Sequence, residues 1–182
     1  FKITKQPIEA KTRKLCASYS YELMEDYKNE FGENFEDKMV DYLTTSILTE
    51  IDGETINMLF NEAKYTDEWD AAFPGTWTQG IQRWYETLLP VVNLLSAQIY
   101  QNTHVCGITF MVCNPMTASI IQSMQMFHGV GNPADTNMSV ESVKIGTLSG
   151  MYNVYVSPLC PADQILLGFK GTKPEETGAV YA

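Results

Sequence analysis

The sequence holds little of what catalytic and metal sites are made from. His104 and His128 are its only histidines, and neither has Asp, Glu, Cys or His at the i+3 or i+4 spacing that completes a metal set on a helix. The four cysteines, Cys16, Cys106, Cys113 and Cys160, form no CxxC pair, which excludes a zinc knuckle and suggests no disulfide framework. The plain expectation is four buried, reduced thiols. GxSxG, GxGxxG and GxxxxGK[ST] are all missing, so neither a serine hydrolase elbow nor a phosphate-cradling loop is present. No run is apolar for the roughly 18 residues a membrane span needs, and no segment has the form of a signal peptide. These absences point to a soluble protein of a reducing cytosol, without metal, cofactor or membrane.

Positive charge is also scarce. Twelve Lys and Arg stand against 22 Asp and Glu, a net of -10, which excludes a surface that grips nucleic acid through its phosphates. The 182 residues are 45% hydrophobic, enough to bury a core in one domain or in a core with an appended lobe. The chain opens on Phe1 rather than Met, the mark of a processed product or a piece of something longer.

The charge that is there is unevenly placed. Residues 1–14 hold Lys2, Lys5, Lys11, Arg13 and Lys14 against Glu9 alone, about +4, while residues 22–54 hold eleven acids against Lys28 and Lys38, about -9. Two readings follow: a solvated helix face, or a basic arm of one subunit meeting the acidic face of a neighbour. The second makes Arg13 and Lys14 on the arm, with Glu33, Asp37 and Asp41 on the acidic face, candidate subunit-interface residues.

Periodicity predicts the elements. Lys14–Tyr19 alternates as a half-buried strand does. Ser20 caps a helix, YELMEDYKNEF, that Gly32 closes. A second helical pattern runs from about Glu33 to Ala63 with Phe35, Met39, Leu43, Ile47 and Ile51 at spacing four, a rod on the order of 45 Å long at 1.5 Å per residue. Gly53 inside it allows a break or bend. Residues 64–77 read as a loop. Thr78 is placed to cap the next helix, which Pro90 should kink. GITFMVC reads as a strand covered on both faces. Asn114 and Pro115 start a helix through Phe127, and residues 129–137 form a loop that includes a turn at HGVGNP. VKIGTL, MYNVYVS, QILLGFK and GAVYA read as four strands, the second and third joined as a hairpin by a loop stiffened at Pro158 and Pro161. The class is α+β.

Chemistry was sought in the carboxylate pairs Glu22 with Asp26 and Glu33 with Asp37. Both lie on polar faces, where acid-base work lacks the cleft it needs. No catalytic residue is assigned and an enzyme is not expected; an acidic-pair hydrolase and an acidic docking domain for a soluble partner are the distant alternatives.

The succession GTLSGMYNVYVSP, Gly146 to Pro158, then LLGFKG, Leu166 to Gly171, then Pro174 and GAVY, resembles the major capsid proteins of T-even-like tailed phages. The resemblance continues in FKI at Phe1–Ile3, RKL at Arg13–Leu15, YxxEL at Tyr19–Leu23, ILTEI at Ile47–Ile51 and ITFMVCNPMTASII at Ile108–Ile121. It covers residues 1–63 and 105–182, with 64–104 alike in character only. It implies the Hong Kong ninety-seven type capsid fold, with a peripheral lobe at 1–77 carrying a spine helix at about 33–63, an apical (axial) lobe at 78–157, and return strands at 158–182. The arm and extended loop expected before Phe1, and strands expected after Ala182, are missing from this pattern. The implied role is a structural subunit of an icosahedral or prolate head shell, self-assembling into hexamers and pentamers around packaged DNA that it does not bind specifically. Vertex, cement or scaffolding proteins would be its other partners, and a virion assembled in the host cytoplasm its place. The near alternatives are a paralogous pentameric vertex protein and the shell of a protein compartment.

Overall fold

The computed structural model describes residues 12–130, 142–173, 176 and 178–179. Close packing divides them into two compact units, the residues up to Glu54 with 178–179 in one and those from Thr55 to 176 in the other, so that the boundary falls within the long helix Phe35–Asn61.

The first unit is built from helices. Ser20 is extended (φ -86°, ψ 151°) and its side chain accepts from the Leu23 N–H, which starts α1, Tyr21–Phe31. Gly32 takes φ 69°, the left-handed conformation that ends a helix, and donates its N–H to the Lys28 carbonyl. Helix α2, Phe35–Asn61, follows at once and runs unbroken through Gly53. Its 27 residues make a rod about 40 Å long. The long helix expected at about 33–63 is therefore present, two residues shorter at each end. The expected strand at Lys14–Tyr19 is not: these residues are exposed and belong to no strand. Alternation supplies a pattern of faces, and a strand also needs a neighbour to hydrogen-bond.

The second unit contains the sheet. Helix α3, Ile81–Glu86, starts at Gly80, whose φ of 88° no side chain would tolerate easily, and not at Thr78 as expected. It stops at Thr87, and α4, Leu88–Thr103, begins one residue later. The interruption thus falls at Thr87, three residues before Pro90, where the backbone stays right-handed (φ -68°, ψ -13°). Pro90 falls in the first turn of α4, where its missing N–H goes unused, and ring and carbonyl do not collide. His104 is the left-handed cap that follows α4, with its N–H on the Tyr100 carbonyl.

Strand β1, Phe110–Cys113, leads through the Asn114 cap and Pro115 into α5, Pro115–Gln122. That helix ends five residues earlier than expected, because Phe127–Gly129 is drawn off as strand β2, which pairs with β3, Val143–Leu148. The Phe127 ring lies over Gly146 of β3, in the space a Cβ would fill. Strand β4, Tyr152–Val156, turns back antiparallel from β3 across Ser149 and Gly150, both left-handed (φ 54° and 68°), with the Met151 N–H on the Leu148 carbonyl. Two positive φ values make this the mirror-image turn that matches the twist of a hairpin.

Strand β5, Ile165–Gly168, completes the order β2-β3-β4-β1-β5. β1 is parallel to β4 and antiparallel to β5, so it lies between the two strands expected to form a hairpin. GAVYA, expected as a further strand, lies largely outside the described residues, as does most of the 129–137 loop.

Helices α4 and α5 lie against one face of this sheet. Leu88 and Val92 of α4, Ala118 and Ile121 of α5, and Met111, Cys113, Leu148, Tyr152 and Val154 of the sheet form the core. β1 is accordingly buried at Met111 and Cys113 but only half-buried at Phe110 and Val112, and not covered on both faces as expected. On that second face the Phe110 ring lies over its cross-strand partner Gly168. The expectation of four buried thiols holds for two: Cys113 and Cys160 are buried, while Cys16 and Cys106 are exposed.

Candidate assembly surface

A subunit whose work is contact must present side chains that its own fold leaves uncovered, and α1 and α2 do so: neither contains a buried residue. The stripe Phe35, Met39, Leu43, Ile47 and Ile51 is half-buried, as the spacing of four implies. Beside it Phe31, Val40, Tyr42 and Leu48 are 63, 61, 69 and 55% exposed. Single exposed apolar residues are ordinary, but two helices without any buried position have no core to stabilise them alone.

What holds this unit together is polar and aromatic. Tyr27 stacks against Phe31 and meets Phe35 edge-on at 5.3 Å, and Tyr19 meets Phe35 at 5.1 Å. The Tyr19 hydroxyl donates to Glu36 Oε1 at 2.9 Å, which with the adjacent negative charge pushes the phenol pKa up. Arg13 pairs with Glu50 at 3.0 Å and also with Glu54, whose carboxyl pKa it holds below the usual range. The hydroxyls of Thr44, Thr45 and Thr49 donate to the carbonyls one turn back, so these polar groups stay paired on the helix itself.

The five candidate interface residues all lie in this unit. Arg13 meets acids of its own chain, Glu50 and Glu54, which the sequence reading did not single out. Their one-turn spacing on a helix was the available signal, since i and i+4 share a face. Lys14 is exposed. Glu33 pairs with Lys38 at 3.0 Å, raising the Lys38 pKa, and both ends are more than half exposed, so the pair contributes little. Asp37, in the first turn of α2, and Asp41, one turn on, are exposed carboxylates.

No group of three His, Cys, Asp or Glu able to hold a metal occurs among the described residues. No described helix is long and apolar enough to cross a membrane. His128 is an exposed residue of β2. Burial pushes the Cys113 thiol up to about 12 and the Cys160 thiol up as well, the state of packed sulfur and not of a nucleophile.

The described residues define a class by fold, α+β with a mixed five-stranded sheet, and comparison with known proteins gives the family. The family model described as "Major capsid protein Gp23" matches residues 1–182, and the chain belongs to this family. It is 26% identical over 202 residues to the major capsid protein of Enterobacteria phage T6, covering 100% of this chain and 40% of that one. The major capsid protein of Enterobacteria phage T4 is 26% identical over 203 residues, with 38% of its length covered. That of Vibrio phage KVP40 is 25% identical over 213 residues, with 39% covered. The chain thus spans about two fifths of the length of these relatives.

Proposed function

We propose that this chain is the shell-forming part of a phage head subunit, repeated in hexamers and pentamers around packaged DNA, in a virion assembled in the host cytoplasm. The observation that carries the reading is the family match along the whole chain. The physical support is the pair of helices α1 and α2, neither of which has a buried residue and which leave Phe31, Val40, Tyr42 and Leu48 exposed. Closed rings of like subunits need heterologous contacts, one patch meeting a different patch, and such patches are expected to combine apolar area with charge that fixes register.

In this reading Lys14, Glu33, Asp37 and Asp41 contribute to subunit contacts, and Arg13 secures the arm on α2 beside them. The peripheral lobe corresponds to 1–77, the apical lobe to 78–157 and the return strands to 158–182. A net charge of -10 suits a wall that must not trap DNA, and the subunit performs no catalysis. Replacing exposed Val40 and Leu48 of α2 by Glu tests it, because neither is buried in the chain itself. The expected result is a folded subunit, by circular dichroism, that forms no particles in electron micrographs. Normal particles from the double variant would remove α2 from the contact surface.

A further inference from the structure

The second unit carries a groove that the shell reading does not use. Its volume is about 1030 Å³, and successive turns of α4 line it through Val91, Leu95 and Ile99. Asp163 through Leu167 line it as five consecutive residues. Along a strand, neighbours point to opposite faces, so consecutive lining residues mean that the groove runs along the strand's edge and not over one face. That edge is open: β5 is the terminal strand of the sheet, and its one partner among the described residues is β1. The open N–H and C=O groups of a terminal strand are a template for another strand.

Charge marks the kind of occupant. Asp67, Glu68, Asp70 and Asp163 stand around the groove with Lys64 as its one cation. The acidic surface that dominates this chain would be repelled by the rim, whereas a cationic extended segment would be attracted. The volume slightly exceeds the roughly 300–1,000 Å³ typical of small-molecule sites.

We propose that this groove binds an extended segment of a different protein, alternating apolar and cationic side chains, which adds to β5 as a sixth strand. Its backbone would continue the sheet, alternate apolar side chains would enter between β5 and α4, and its lysines or arginines would face the carboxylate rim.

The test is titration of an acetylated Lys-Val-Lys-Val-Lys-Val-Lys peptide into the intact protein. Fluorescence of Trp69, which lines the groove, reports occupancy, and amide exchange at Ile165–Gly168 reports strand pairing. Expected are saturable binding, slower exchange across β5 and weaker binding as salt rises. The Glu-Val counterpart, and a peptide N-methylated along one edge, should each bind at least tenfold more weakly. Asp67→Asn combined with Asp163→Asn should weaken the cationic peptide severalfold without disturbing the left-handed backbone at residue 163, which Asn accepts. Equal binding of the Glu-Val peptide, or binding that leaves β5 exchange unchanged, would overturn the proposal. Either result leaves particle formation, which tests the shell reading, untouched.

Discussion

Single residues here do work that their type alone does not announce. Asn114 caps α5 by accepting from the Met116 N–H, and its Nδ2 donates to the Cys160 carbonyl at 3.2 Å, which ties the loop after β4 to the end of β1. Beside it Cys113 is fully buried, and burial raises its thiol from the usual 9.0 to about 12. A folded-state pKa above the unfolded one means that stability is complete below the unfolded value and is lost as pH climbs from about 9 toward 12, since only the unfolded chain releases the proton in that window. Denaturant titrations of the parent and Cys113→Ala should therefore converge as pH rises through 9 to 11, the variant showing the flatter decline. At neutral pH iodoacetamide should modify Cys16 and Cys106 within minutes and leave Cys113 and Cys160 intact until denaturant is added, as peptide mass mapping would show. Gly168 is a different case, holding open the space that the Phe110 ring fills. Gly168→Ala should cost about 1–3 kcal/mol by urea unfolding, the usual range for overpacking.

At the scale of elements, what was legible in the sequence was punctuation. Ser20 and Gly32 bracket α1, Asn114 with Pro115 opens α5, and Gly150 marks the β3–β4 turn, because each acts through backbone geometry or a bond to residues two to four positions away. What was not legible depended on partners far along the chain. The break between α3 and α4 needs Thr87, whose hydroxyl donates to the Trp84 carbonyl at 2.6 Å while accepting from Trp69 Nε1 at 2.9 Å, a contact across 18 positions. Trp84 in turn donates to the Asp70 carbonyl and stacks near Trp69, so two of the three tryptophans fasten the 64–80 loop to α3. Thr87→Val keeps the shape and removes both bonds; it should lower stability by about 1–2 kcal/mol and shift the tryptophan emission, both measured in one urea titration. Strand order escaped for the same reason. Periodicity finds a strand but not its neighbour, so β1 inserted between β4 and β5, and β2 taken from the end of α5, required the sheet itself. Of the candidate interface residues, the acidic face was legible from charge spacing, whereas the pairing of Arg13 with Glu50 and Glu54 was not, being set by where the arm meets α2.

At the scale of the whole molecule, charge and uncovered apolar surface have to be read together. An acidic subunit repels its own copies unless its contacts set cations against the acids, and the segment through Arg13 and Lys14 is the basic part of a chain otherwise rich in carboxylates. Reversing Arg13 and Lys14 to Glu should therefore reduce particle yield, and by a larger factor at low salt than at high salt, since screening weakens exposed charge interactions. Light scattering across a salt series measures this, and equal yields of variant and parent throughout would remove the arm from the account. The central claim is that the chain forms the shell itself. Its most direct test is imaging of intact virions by electron cryomicroscopy, with the copy number of this chain counted by quantitative mass spectrometry. The account expects the β2-β3-β4-β1-β5 sheet and the 27-residue α2 to recur in every hexamer over the head surface, in hundreds of copies per particle. Density for this fold at the fivefold vertices alone, or a chain absent from the particle, would contradict it.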